Sequence, residues 1–159
     1  VMGAMMGGGG VPFASQDLKS WLPEKLGGLT REGFEVQSGA AMGIAGSTAH
    51  ATYTAGEQQI RLTITDVGGL GGLMSIAAWA NVTVDKESNG QVEKVYKQGQ
   101  RTLREQYHKD GSQAEFTVVL ENGLIVAVEA DNASIDKVKQ AMSALDLGKM
   151  EKAQRPAKS

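Results

Sequence analysis

Two segments in the first half of the chain alternate apolar and polar residues with the two-residue period of a half-buried strand. In Thr48–Thr54, Ala49, Ala51 and Tyr53 share one face, and Thr48, His50 and Thr52 share the other. In Gln59–Thr65, Ile60, Leu62 and Ile64 oppose Arg61, Thr63 and Thr65, and a hairpin through Ala55 and Gly56 joins the two runs. Four later runs also read as strands: Val92–Lys97, Arg101–His108, Gln113–Leu120 and Leu124–Ala130. Between them stand Asp110-Gly111 and Asn122-Gly123, pairs that accept the positive φ of two-residue hairpins. Leu124–Val128 is almost wholly apolar, as expected of a central strand covered on both faces. A first strand is expected at Phe34–Gln37, after a turn at Gly27 and Gly28 and before a small-residue bend from Ser38 to Gly46.

The helical period marks three other places. Ser15 can cap a helix over Gln16–Leu22 that aligns Leu18, Trp21 and Leu22 before Pro23 stops it, with Trp21 as a core anchor. Leu70, Leu73, Met74 and Ala77 recur at helical spacing in a segment reaching Val84, with a polar link from Asp85 to Gly90 behind it. Asn132 or Ser134 can cap a last helix with Asp136 in its first turn. Its buried stripe is Ile135, Val138, Met142 and Leu145, and Gly148 ends it. The order is α-βββ-α-ββββ-α. It predicts an α+β fold, a largely antiparallel sheet of about six or seven strands with helices packed on it.

The 159 residues suit one domain plus tails. Residues 1–14 read as a Gly/Met-rich linker or assembly segment, 15–148 as a single α+β domain, and 149–159 as a polar C-terminal tail. Val1–Gln16 is uncharged, and Gly7–Gly10 is an unbroken glycine run beside Met2, Met5 and Met6. So much glycine loses too much backbone entropy to order by itself, so the segment serves as a spacer or packs on something else. Met2, Met5, Met6, Val11 and Phe13 are its candidate interaction residues, because thioether chains adapt to irregular apolar surfaces.

Composition narrows the chemistry. A net charge of −2 lacks the clustered Lys and Arg that nucleic acid demands. The absence of cysteine removes thiolate nucleophiles, disulfides and Cys-based zinc sites. No apolar run approaches the roughly 20 residues of a membrane-spanning helix. The chain opens at Val1, which points to something removed upstream, where a signal peptide or lipid anchor would lie.

Asp66-Val-Gly-Gly-Leu-Gly-Gly stands between a strand and a helix, as phosphate-cradling loops do. It lacks the Gly-Lys-Ser/Thr of a P-loop, and Met74 occupies the place of the third glycine of a dinucleotide fingerprint. Asp66, Gly68, Gly69, Gly71 and Gly72 are therefore candidates for anion or small-ligand binding, weighed against a tight turn whose glycines allow close packing. His50 and His108 read as surface residues. The spacing of Asp66, Asp85 and Asp131 does not support a metal site. No serine lies in a nucleophile motif, and neither a catalytic residue nor a cofactor is expected. The charge-dense run from Glu93 to Lys109 reads as a solvent face and a protected edge.

Gly3-Ala-Met-Met-Gly-Gly-Gly, Leu22-Pro-Glu-Lys-Leu-Gly-Gly-Leu, Ala41-Met-Gly-Ile, Ile64-Thr-Asp-Val-Gly-Gly, Ala78-Trp-Ala and Leu145-Asp-Leu-Gly-Lys spread over nearly the whole chain. In these the chain resembles a group of uncharacterised bacterial envelope proteins, often predicted lipoproteins, with a Gly/Met-rich linker before one compact domain. The element order is also similar to the Mog1/PsbP-like fold. The resemblance implies an exported, periplasmic or extracellular location and a non-enzymatic accessory role in protein–protein interaction or self-assembly. The membrane is then approached only through an upstream lipid anchor. The alternative is a small-ligand or anion-binding module built on the 66–72 turn.

Overall fold

The computed structural model describes residues 15–38, 47–66, 84–99, 101–120 and 124–152. They form one nine-stranded antiparallel sheet with three short helices. The chain begins with α1 (Ser15–Ser20), β1 (Lys25–Leu26), β2 (Leu29–Ser38), β3 (Ser47–Ala55) and β4 (Gln58–Asp66). It continues with β5 (Val84–Ser88), β6 (Gln91–Gln98), β7 (Arg101–His108), β8 (Gln113–Val119) and β9 (Leu124–Asp131), then α2 (Ile135–Ser143) and α3 (Leu147–Lys152). The strand order is β1-β2-β3-β4-β9-β8-β7-β6-β5. Two meanders, β1 to β4 and β5 to β9, are thus fused along β4 and β9, where Gln59 to Asp66 face Asp131 to Leu124 rung by rung.

The sheet places its apolar alternation on one side. Ala49, Ala51 and Tyr53 of β3 pair with Ile64, Leu62 and Ile60 of β4, which face Val126, Val128 and Ala130 of β9 and then Val118, Phe116 and Ala114 of β8. All are buried, and the helices complete their core with Leu18, Val138, Ala141, Met142 and Met150. Each fully buried large aliphatic stabilises the fold by about 1.5–3 kcal/mol relative to exposure. Tyr53 is the largest fully buried side chain. Its hydroxyl donates to the Pro23 carbonyl at 2.6 Å, and burial pushes its pKa up to about 12 against the pull of Arg31. Trp21 is only partly buried, packing against this cluster while Leu18 takes the interior position.

The α+β expectation with six or seven strands is overturned: strand makes up 61% of the described residues and the sheet has nine strands. The two unforeseen strands are its edges. β5 leads into the β5–β6 hairpin turn, whose Asn89 and Gly90 have φ of 54° and 81°, yet Asp85 to Ser88 are all exposed. An edge strand wetted on both faces shows no apolar alternation, so it reads as a link. β1, two residues long, is too short for any period. β2 is ten residues long rather than four, because its charged first half pairs just as its apolar half does. The expected helix up to Val84 lies mostly outside the described residues, but Val84 itself opens β5.

The hairpins differ in detail. The β3–β4 turn is formed by Gly56 and Glu57, one residue later than expected, with Gly56 at φ 61°. The β7–β8 turn is centred on Asp110 and Gly111 as read, and Asp110 Oδ1 accepts the Ser112 N–H at 2.9 Å. Ser134 is the cap of α2, accepting the Lys137 N–H at 3.3 Å, while Asn132 sits at φ 58° and ties its side chain to the Glu57 carbonyl. Gly148 does not end that helix but lies inside α3, whose Met150 is only 2% exposed.

Truncating Leu62 to alanine at the centre of this core should cost about 2–5 kcal/mol, against less than about 0.5 kcal/mol for Thr63→Ala on the opposite face. Urea unfolding should show the first as a lowered midpoint at unchanged slope.

Candidate functional site

The other face of the sheet carries the polar set. Because directly opposed residues in an antiparallel ladder share a face, one row runs Thr52, Arg61, Glu129, Glu115, Gln106, Glu93 and Lys86 across seven strands. Arg61 binds the Glu129 carboxylate and, at 3.0 Å, that of Asp131. Arg104, in the next row, holds Glu93 at 2.7 Å and reaches Glu115 at 3.9 Å. These half-exposed pairs contribute little each, about 0–1 kcal/mol, but they fix side chains that would otherwise wander.

Glu115 and Glu129 stand directly opposite each other between β8 and β9. Burial pushes the Glu115 carboxyl up, and the hydrogen bond and charge of Glu129 push it the same way against the pull of Arg104. With Gln91, Gln106, His108 and Gln113 the pair lines a groove of about 270 Å³, in which His108 Nε2 lies 3.2 Å from the Gln91 amide. Proton sharing between carboxylates is one ingredient of acid–base catalysis. Here both acids also face arginines, Glu129 held by Arg61 and Glu115 lying 3.9 Å from Arg104.

A second polar group interrupts the core face where the helices end. Tyr96 donates to Glu105, and Lys139 of α2 lies 2.9 Å from the same carboxylate. Burial acts to raise the Glu105 pKa, but the bonds from Tyr96 and Lys139 and the charges of Lys139 and Lys94 outweigh it and hold it low. Burial and this bond raise the Tyr96 hydroxyl in turn. The cluster ties α2 to β6 and β7.

Met2, Met5, Met6, Val11 and Phe13, and likewise Gly68, Gly69, Gly71 and Gly72, lie outside the described residues. Asp66 ends β4 at 0% exposure, with Ser47 and Leu124 beside it in register. His50 and His108 both lie on the polar face; His50 is exposed, 4.0 Å from Glu35. Asp66, Asp85 and Asp131 are not brought together, and no group of three His, Asp or Glu among the described residues could hold a metal ion. No described helix is long and apolar enough to cross a membrane.

The Glu115–Glu129 pair escaped the sequence reading for a definite reason. A two-residue turn at Asn122-Gly123 would set Glu115 opposite Ala130; the observed register, with Val119 opposite Ile125, is shifted by one. Keeping apolar residues on one face would have forced this register, since Phe116 then meets Val128.

The remaining feature is an edge. Beyond Thr30, nothing among the described residues forms a ladder with the outer side of β2; β1 covers Leu29 and Thr30, and the Arg31 N–H donates to the Glu24 carbonyl at 2.8 Å. A bulge between Arg31 and Gly33 precedes the uncovered stretch. There Phe34 is 44% exposed, the one exposed large hydrophobic among the described residues, with Lys19 and Arg31 each 4.9 Å from its ring centre.

Comparison with protein-family models, curated proteins and solved structures returned no match.

Glu115→Gln removes a like-charge pair and should stabilise the protein at pH 7 by about 0.2–1 kcal/mol. A carboxyl raised in the folded state favours folding when protonated and loses that contribution as pH climbs from the ordinary glutamate value through the raised one. The gain from the substitution should therefore vanish near pH 4, as read from melting temperatures at the two pH values.

Proposed function

We propose that this chain is a non-enzymatic accessory domain of the cell envelope that works by protein–protein interaction or self-assembly, with the outer edge of β2 as its contact element. The uncovered edge of β2 carries this reading. A strand edge offers a row of N–H and C=O groups that bind another extended segment without requiring any particular side chain. The two edges of the sheet are treated differently. β5 is short and displays Asp85, Lys86 and Glu87, charges of the kind that discourage strand addition. β2 is long, and its uncovered stretch carries the exposed Phe34 and the half-buried Val36. The envelope location rests on the sequence resemblance, which includes its Gly/Met-rich linker.

Selection of extended peptides from a displayed random library, followed by amide chemical-shift mapping on the labelled domain, tests this reading. Bound peptides should perturb residues 33–38 and favour alternating apolar sequences. Perturbations confined to the Glu115–Glu129 groove, or no binders at all, would contradict it.

A further inference from the structure

Resting on that reading of the β2 edge, we propose that the strand it accepts is β2 of a second copy, antiparallel, on a two-fold axis through Val36. A closed two-fold pairing joins the same patch on both copies. To continue the sheet it must set core-face residues against core-face residues, so each residue can face only one an even number of positions away. Few centres remain.

Centring on Phe34 would demand that Arg31 pair outward, where its N–H is already committed to Glu24 and β1 lies alongside. Centring on Glu35 sets two glutamates directly opposite, a destabilising like-charge contact. Centring on Gln37 leaves Phe34 outside the described ladder. Centring on Val36 meets none of these objections. It sets Val36 against the partner's Val36, Phe34 against the partner's Ser38, and Glu35 against the partner's Gln37.

The side chains suit that register on both faces. On the core face, Phe34 lies diagonally across from the partner's Val36, within reach for an aromatic ring. The four residues Phe34, Val36 and their symmetry mates then make one apolar strip that covers the exposed ring. On the polar face, Gln37 already donates its amide to Glu35 within one chain. The same carboxylate and amide meet again across the axis, so the interface adds no unpaired charge. The product is a continuous eighteen-stranded sheet, its helices on one side.

The chain contains no cysteine, which makes cross-linking clean. Val36→Cys, Glu35→Cys and, on the β5 edge, Ser88→Cys should each fold, as checked by circular dichroism, in the full 159-residue chain. Opposed residues in an antiparallel ladder lie within disulfide reach. Under mild oxidation Val36→Cys should dimerise about tenfold or more faster than the other two, because pairing raises its effective concentration. Light scattering on the unsubstituted chain should show mass rising toward the dimer with concentration. A mass fixed at one chain, or equal cross-linking rates, would overturn the proposal. Faster linking of Glu35→Cys would overturn the Val36 axis. If the chain is monomeric while library peptides still perturb residues 33–38, the second copy is wrong and the edge reading stands; if neither occurs, both fail.

Discussion

The pairing of β4 with β9 is the contact on which the rest depends. Each meander alone folds back by local hairpins and has a covered and an uncovered margin. Only when Gln59–Asp66 meets Leu124–Asp131 do the two become one sheet. The joint lies between segments 58 positions apart at their near ends, Asp66 and Leu124, so loop-closure entropy is spent before any of its eight rungs forms. Ile60, Leu62 and Ile64 against Ala130, Val128 and Val126 return that cost through burial, and Arg61 with Glu129 and Asp131 clasps the same joint on the polar face.

This central joint also decides what the margins look like. With β4 and β9 inside, the sheet must end in β1 and β2 on one side and in β5 on the other. The helices cover the core face near the joint, α1 over β2 and β3 and α2 over β7, β8 and β9. Beyond them the core face turns polar at Tyr96, Glu105 and Lys139, where burial of a carboxylate is tolerated because a phenol and an ammonium meet it. At the opposite margin β1 is too short to finish its task. The exposed Phe34, and an outer side of β2 that beyond Thr30 forms a ladder with no described residue, follow from that shortness, and the functional reading grows from them.

Strands with one wet and one dry face were legible in the residues of β3 and β4; β9, whose dense apolar run reads as covered on both faces, instead alternates buried and half-buried positions. Edge strands were not legible. Asp85 to Ser88 obeys no hydrophobic period because neither of its faces is covered, and Lys25–Leu26 is held by its neighbour β2. The turn residues located the β7–β8 hairpin but misplaced β8 against β9 by one, and a one-residue slip was enough to hide the Glu115–Glu129 pair. The β2 edge was invisible for a deeper reason. Whether a strand is internal or terminal is settled by which distant segment lies beside it, and nothing in Gly33 to Ser38 records that none does among the described residues.

Native-state amide exchange, read residue by residue, tests the central claim that one joint makes one cooperative sheet. The amides shared between β4 and β9 should be the most protected of all and exchange only through global unfolding, with β1 and β5 opening at lower free energy. Loss of protection across β5 to β9 in a partial opening that leaves β1 to β4 intact, or the reverse, would show two independent meanders and contradict the account.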